Sequence, residues 1–106
     1  MEANNYTYEF TENGRSSLEE ILEYISVTLD NPKAADDLLD KVDAALDSAC
    51  VFPNAIPSFS EDVRDIKKLI VENYKVYFII LEKEKILSVL KVLYGGMNAT
   101  EEKIRK

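Results

Sequence analysis

The sequence predicts a single α+β domain in which a strand, an αα-hairpin and a three-stranded antiparallel meander form one sheet packed on two helices. Between residues 18 and 49 the apolar side chains recur every three or four positions, which is typical of amphipathic helices. After residue 63 the apolar period changes to two, and the links between the runs are only two and four residues long. Such short links join antiparallel neighbours. The length of 106 residues suits one domain, so residues 1–106 are predicted to fold together, with 98–106 a loose C-terminal tail.

The first strand and helix are predicted from residues 6–29. Tyr6–Phe10 is β-prone, and its aromatic side chains alternate with polar ones. The polar stretch 12–14 is expected to break the strand, after which Ser16 or Ser17 is expected to cap a helix. The apolar stripe of that helix consists of Leu18, Ile21, Leu22, Ile25 and Leu29.

A second helix is predicted to begin directly after the first. Asn31 is a suitable cap, and Pro32 fits the first helical position, where no backbone donor is needed. One face is apolar and the rest carries a series of aspartates. The helix is expected to stop near Phe52-Pro53, and residues 51–63 are expected to form an irregular crossing.

The meander is predicted from three β-rich runs, Ile66–Val71, Tyr74–Leu81 and Ile86–Leu93. The turn lengths place Lys91 and Leu93 on the same sheet face as Val76, and Val92 on the opposite face. Both faces are apolar, but the helical hairpin covers only one of them. The second face is therefore expected either to enclose a small core of its own or to receive a partner segment.

Composition excludes several classes of function. The chain has no histidine, so acid–base catalysis by histidine and ordinary zinc sites are excluded, and no metal or cofactor is expected. A single cysteine, Cys50, allows no internal disulfide and favours a reducing cytoplasm. No secretory signal and no apolar run of membrane-spanning length is found, so no membrane association is expected.

The charge is unevenly distributed along the chain. The net charge is −7, which argues against broad affinity for nucleic acid. Residues 1–62 contribute −11, whereas residues 63–106 contribute +4. The acidic half is interpreted as a solvated helical face, and the basic half can still present a local basic surface.

Four stretches, taken in order, resemble the RelE/ParE toxins of type II toxin–antitoxin systems. Residues 18–42 (LEEILEYISVTLDNPKAADDLLDKV) are similar to the helical hairpin of that family, and FPNAIP at 52–57 to its Phe-Pro loop. ENYKVYFII at 72–80 resembles its central strand, and VLKVLYGGMN at 89–98 its closing strand. The match spans roughly residues 6–98.

The resemblance implies a bacterial toxin of the plasmid-stabilisation type, neutralised by a cognate antitoxin protein that folds as it binds. RelE-like members cleave mRNA at the ribosome, whereas ParE-like members poison DNA gyrase without nuclease activity. The possible partners are therefore an antitoxin and either gyrase or the ribosome with its mRNA. Three hypotheses remain open: a binding toxin, a weakened mRNA endonuclease, and a non-toxic interaction module derived from the family.

The resemblance also implies which residues form the site. Lys75 stands where the family's central-strand arginine clamps the scissile phosphate, and lysine lacks the bidentate geometry of arginine. Gly96 and Met97 stand at the second arginine pair, and no Tyr or His follows them as general acid or base. Lys75 is thus the candidate catalytic residue, and enzymatic activity is uncertain. The candidate target-binding residues are Arg64, Lys67, Lys68, Lys91 and Tyr94.

Each of these candidates also has a structural interpretation. Lysines on edge or solvent-facing strand positions suppress aggregation, and a tyrosine at a strand end often packs its ring at the margin of the core rather than on a base. Adjacent carboxylates such as Asp36-Asp37 point in different directions on a helix, so they do not predict a metal site. Cys50 is expected to be a small buried core residue.

Overall fold

The structure is a computed structural model in which residues 6–95 and 100–105 are described. A four-stranded sheet packs against two long helices, which confirms the predicted α+β class. In chain order the elements are β1 (Thr7–Phe10), α1 (Glu12–Glu23), a π-helical segment (Tyr24–Thr28), α2 (Pro32–Ala49), a 3-10 turn (Pro53–Ala55), β2 (Ile66–Val71), β3 (Tyr74–Leu81), β4 (Ile86–Tyr94) and α3 (Glu101–Arg105). Within the described part of the chain no helix is long and apolar enough to cross a membrane.

The strands lie in the order β1-β4-β3-β2. The meander β2–β3–β4 is antiparallel, and its boundaries agree with the predicted runs to within one residue. Glu72 and Lys85, with φ values of 55° and 61°, lie in the two turns of the meander. Asp30 is the third non-glycine residue with a positive φ in the described part of the chain. β1 pairs in parallel with β4, because the helical hairpin returns the chain to the far side of the sheet.

Helix α1 begins earlier than predicted. Thr11, not Ser16 or Ser17, is the cap, and its side chain accepts a hydrogen bond from the Gly14 amide at 3.0 Å. Gly14 is not a strand breaker but a buried helical residue, because a Cβ there would lie 2.2 Å from the Val89 carbonyl oxygen. The Ser17 hydroxyl accepts a hydrogen bond from the Val92 amide at 2.9 Å. Helix α1 thus continues along the edge of β4 where β1 ends.

Helix α2 begins as the sequence predicts. The Asn31 side chain accepts a hydrogen bond from the Ala34 amide at 3.1 Å, and Pro32 occupies the first turn. The apolar face is buried against the sheet by five residues at helical spacing: Ala35, Leu38, Val42, Leu46 and Ala49. Cys50 is buried at the helix end, as expected.

A β-bulge changes the predicted sheet faces. Tyr77 pairs with Lys91 while Phe78 pairs with Val89, so Leu90 is an extra residue in β4. After the bulge every side chain of β4 is on the face opposite to the predicted one. The prediction that placed Lys91 and Leu93 beside Val76 is therefore wrong, and Val92 packs towards the helices.

The second face of the sheet has a small core of its own, one of the two outcomes that the sequence left open. Ile66, Tyr77 and Leu93 are buried there, and α3 covers them with Ile104, whose side chain is 0% exposed. Arg105 of α3 also forms an exposed ion pair with Asp65 at 3.0 Å. Residues 100–105 therefore differ from the predicted loose tail, because Ile104 has an apolar site to fill. Residues 98, 99 and 106 lie outside the described residues.

Candidate functional site

An apolar groove lies at the end of the sheet where β3 begins and β4 ends. Tyr74 and Tyr94 face each other across these strands, with ring centroids 5.8 Å apart in an edge-to-face arrangement. The opposite wall is formed by the end of α1 and the π-helical segment. The groove is open to solvent, has a volume of about 530 Å³ and is lined by Glu20, Ile21, Tyr24, Ile25, Leu29, Tyr74 and Tyr94.

The π-helical segment shapes the outer wall of this groove. The Leu29 amide donates to the Tyr24 carbonyl at 2.9 Å, a bond that skips one residue more than in an α-helix. The extra residue rotates the following side chains out of the predicted buried stripe. Leu29 was predicted in that stripe but is 54% exposed, and Tyr24 is exposed to the same extent. Asp30 then takes a positive φ of 52° before Asn31 starts α2.

Tyr74 is the most enclosed polar group of the groove. Burial raises the pKa of the Tyr74 phenol, and the neighbouring Tyr94, Glu72 and Tyr24 raise that pKa further. The phenol therefore stays neutral at physiological pH and can only act as a hydrogen-bond donor or acceptor. The groove thus offers aromatic and aliphatic contact surface with an acidic rim at Glu20, rather than a charged reactive group.

Lys75, the candidate catalytic residue, lies in an adjoining polar pocket of about 320 Å³. The pocket is lined by Ile70, Glu72, Asn73, Tyr74, Lys75, Tyr94 and Gly95. The Lys75 ammonium is 3.4 Å from the Gly95 carbonyl oxygen, and the Gly95 amide donates to the Asn73 carbonyl at 2.6 Å. A Cβ at Gly95 would lie 2.7 Å from that carbonyl, so this approach requires glycine. Lys75 is the one cation among the described residues of this pocket.

The structure brings some of the predicted target-binding residues together and separates others. Lys68 and Lys91 flank Tyr77 in one row across the second sheet face, and Lys75 lies on the same face one row further. Lys67 is on the opposite face, next to Phe78. Arg64 is apart from all of them, where its guanidinium donates to the Glu61 carbonyl at 3.2 Å.

Tyr94 is half exposed and belongs to both cavities, so it is the predicted residue that the structure places most centrally. Gly96 and Met97, which stand at the family's second arginine pair, lie outside the described residues. Sequence reasoning missed Tyr24, Leu29 and Tyr74 as site residues. Their signal was weak, because Leu29 fits the apolar stripe of the helix and Tyr74 fits the alternation of its strand. Tyr24 lies outside the predicted stripe, and only the folded chain brings it beside the Tyr74–Tyr94 pair.

No group of three or more His, Cys, Asp or Glu side chains capable of holding a metal ion is found in residues 6–95 and 100–105. The groove is lined mainly by aromatic and aliphatic side chains, and the adjoining pocket contains one ammonium group. The groove can bury apolar side chains of a ligand, and the pocket places the Lys75 ammonium group next to them.

The fold is the one that the RelE/ParE toxins have. The family model described as "ParE toxin of type II toxin-antitoxin system, parDE" matches residues 8–99. This chain belongs to that family, and it is a toxin of the type II toxin–antitoxin class.

Two solved structures share the fold. The chromosomal ParDE toxin–antitoxin system from P. aeruginosa superimposes with a TM-score of 0.68 at 14% identity, covering 87% of this chain and 98% of that one. The toxin–antitoxin complex RelBE2 from Mycobacterium tuberculosis gives a TM-score of 0.60 at 15% identity, covering 88% and 94%. Comparison with curated proteins gives no match.

Proposed function

We propose that this chain poisons its target by binding it, as a ParE-like toxin does with DNA gyrase, and that a cognate antitoxin neutralises it. In this proposal the pair acts in the bacterial cytoplasm as a plasmid-stabilisation type of system. The two structural neighbours are described as a ParDE system and a RelBE2 toxin–antitoxin complex, which supports an antitoxin as a partner.

The observation that carries the proposal is the apolar groove. Tyr24, Leu29 and Tyr94 each expose about half of their surface around one cavity, although nothing in the described fold requires these side chains to be solvated. Tyrosines are enriched among the residues that dominate binding energy in protein interfaces, because they bury a large area with little loss of side-chain freedom. A protein ligand that inserts apolar side chains into the groove would remove this surface from water.

The Lys75 pocket supports binding over RNA cleavage. Cleavage of a phosphodiester requires positive charge at the phosphate and groups that move protons. Lys75 is directed to the Gly95 carbonyl, and Arg64 and Lys67 lie elsewhere. Lys68 and Lys91 share the sheet face of Lys75 but lie one row away, outside the lining of its pocket. The tyrosine next to it, Tyr94, packs its ring on Tyr74. One ammonium with these neighbours is a contact for a ligand rather than a complete cleavage site.

Induced expression in a bacterial host tests the proposal. Growth would be followed for the wild type, Leu29→Ser in the groove, Lys75→Ala in the pocket, and Phe52→Ser as a matched control. Phe52 is 72% exposed and lies away from both cavities, so this variant also removes an exposed apolar side chain. We expect arrest with the wild type, Lys75→Ala and Phe52→Ser, and growth with Leu29→Ser.

Messenger RNA integrity, followed by primer extension during the arrest, separates the alternatives. Intact mRNA during arrest agrees with a binding toxin. Cleaved mRNA together with relief by Lys75→Ala would replace the proposal with a RelE-like endonuclease. Growth of the wild type, with the protein soluble and folded, would leave only the non-toxic interaction module.

A further inference from the structure

The two edges of the sheet, β2 and β1, differ in their protection against pairing with another chain. At the β2 edge the Lys68 amide donates to the Pro57 carbonyl at 3.0 Å, and the Phe59 amide donates to the Ile66 carbonyl at 2.7 Å. Ser58 forms a bridge with Lys67 between these two bonds. The crossing segment therefore covers the first half of this edge, from Ile66 to Lys68, and the edge carries two lysines there. Both features are common protections against pairing with another chain.

The β1 edge has neither protection. The Thr7 amide donates to the Lys85 carbonyl and the Thr11 amide to the Val89 carbonyl, both at 3.0 Å, which fixes the parallel register. In this register Thr7 and Glu9 bond to β4, so the N–H and C=O groups of Tyr8 and Phe10 point away from the sheet. Among the described residues these outward groups have no hydrogen-bond partner. The sequence of β1 contains no lysine or proline to block an added strand.

A row of carboxylates on α2 accompanies this edge. Asp36, Asp40, Asp43 and Asp47 are spaced by four, three and four residues, so they lie on one flank of the helix. The Tyr8 hydroxyl donates to Asp43 at 2.8 Å, which shows that this flank is directed to β1. In the described part of the chain none of the four aspartates forms an ion pair. The helix also carries two lysines: Lys33 in the first turn pairs with Asp37 at 3.5 Å, and Lys41 lies on the other flank, where it pairs with Glu72.

The negative charge of this flank indicates which kind of chain can pair with the outer edge of β1. A second copy that paired through β1 would bring two rows of aspartates close together, and each chain carries a net charge of −7. A segment with lysine or arginine at alternate positions would instead direct its basic side chains to the aspartate row while its backbone bonded to Tyr8 and Phe10. Main-chain bonds provide affinity and alternate side chains provide specificity in this mode of recognition.

We propose that the outer edge of β1 accepts an extended basic segment of a partner protein as a fifth strand, with its alternate basic side chains facing the aspartate row of α2. The identification of this partner as the antitoxin rests on the proposed function. The edge and its charge do not depend on that function. A partner bound here would leave the apolar groove at the other end of α1 free for a different contact.

Amide hydrogen exchange measured by NMR on the full chain tests the proposal. The probe is a synthetic nine-residue peptide of alternating lysine and valine, and the control peptide has glutamate in place of lysine. In the free chain the Tyr8 and Phe10 amides are expected to exchange fast. Saturation with the lysine peptide is expected to slow both at least about tenfold, whereas the glutamate peptide is expected not to bind.

Charge variants test the role of the aspartate row. The double variant Asp40→Asn/Asp47→Asn is expected to weaken binding of the lysine peptide by about tenfold at low salt. Glu19→Gln/Glu23→Gln removes the same charge from exposed positions on α1 and is expected to change the affinity less than about twofold. All four positions are exposed, so both variants are expected to fold.

Several results would overturn the proposal. These are absence of binding, equal binding of the two peptides, or protection of amides outside β1. Protection of Tyr8 and Phe10 that rises with protein concentration and needs no peptide would show that a second copy covers the edge. The peptide experiment measures binding and not toxicity. A chain that does not arrest growth can therefore still bind the lysine peptide, and a chain that arrests growth can fail to bind it.

Discussion

Replacing Gly14 with alanine is expected to destabilise the fold, although alanine is the better helix former. The added Cβ would lie 2.2 Å from the Val89 carbonyl oxygen, so α1 has to move about 1.2 Å to restore ordinary contact. That movement breaks the Thr11–Val89 and Ser17–Val92 hydrogen bonds, worth about 1 kcal/mol each. Overpacking adds roughly 1–3 kcal/mol, and helix propensity returns about 1 kcal/mol. The expected net loss is therefore about 2–4 kcal/mol.

Urea unfolding followed by circular dichroism measures this loss. Asn13→Ala is the matched control, because Asn13 is an exposed residue in the same turn of α1. We expect Gly14→Ala to lower the urea midpoint and to lower the Tm by roughly 10 °C or more, while Asn13→Ala leaves both unchanged or slightly higher. Equal midpoints for the two variants would refute the close approach of α1 to the edge of β4.

Three further changes test other parts of the structure. Ile104→Ala is expected to cost about 2–4 kcal/mol in urea unfolding, because it empties a buried site on the second sheet face; an unchanged midpoint would mean that α3 is not packed there. Asn31→Ala removes the α2 cap and is expected to cost about 1 kcal/mol in the same assay, and no loss would contradict the cap. Burial and the Asp43 contact raise the pKa of Tyr8 above its ordinary value of 10.0. The unfolded chain therefore releases the Tyr8 proton first, and stability is expected to fall as the pH rises above about 10. Tyr8→Phe should reduce this fall between pH 9 and 11, and an identical fall would contradict the contact.

The meander and α2 could be predicted because their signals are local. Alternation of apolar residues with links of two and four residues specifies an antiparallel meander, and Asn31-Pro32 specifies a helix start through its own hydrogen bonding. The parallel position of β1 beside β4 was not predicted, because no pattern in β1 itself specifies its neighbour. The strand order β1-β4-β3-β2 depends on how all the elements pack together, so no single segment predicts it.

The remaining features depend on contacts between distant residues. Gly14 resembles a breaker in sequence, and only its contact with Val89 makes it a helical residue. The bulge at Leu90 places Val92 and Leu93 on the sheet faces opposite to the predicted ones, and no residue type in β4 predicts a bulge there. In the site, Lys75 was found through the resemblance, and Tyr94 was proposed as an aromatic ring suited to stacking on a base. Tyr24 and Leu29 were missed, because the π-helical turn that exposes them is not visible as a break in apolar spacing.

The most direct test of the proposed mechanism is supercoiling of relaxed plasmid DNA by purified gyrase in the presence of the purified chain. We expect the wild type and Lys75→Ala to inhibit supercoiling equally, and Leu29→Ser to inhibit much less, because the groove and not the ammonium holds the target. Full gyrase activity with the wild type, together with cleavage of ribosome-bound mRNA that Lys75→Ala abolishes, would contradict the proposal that the protein acts by binding.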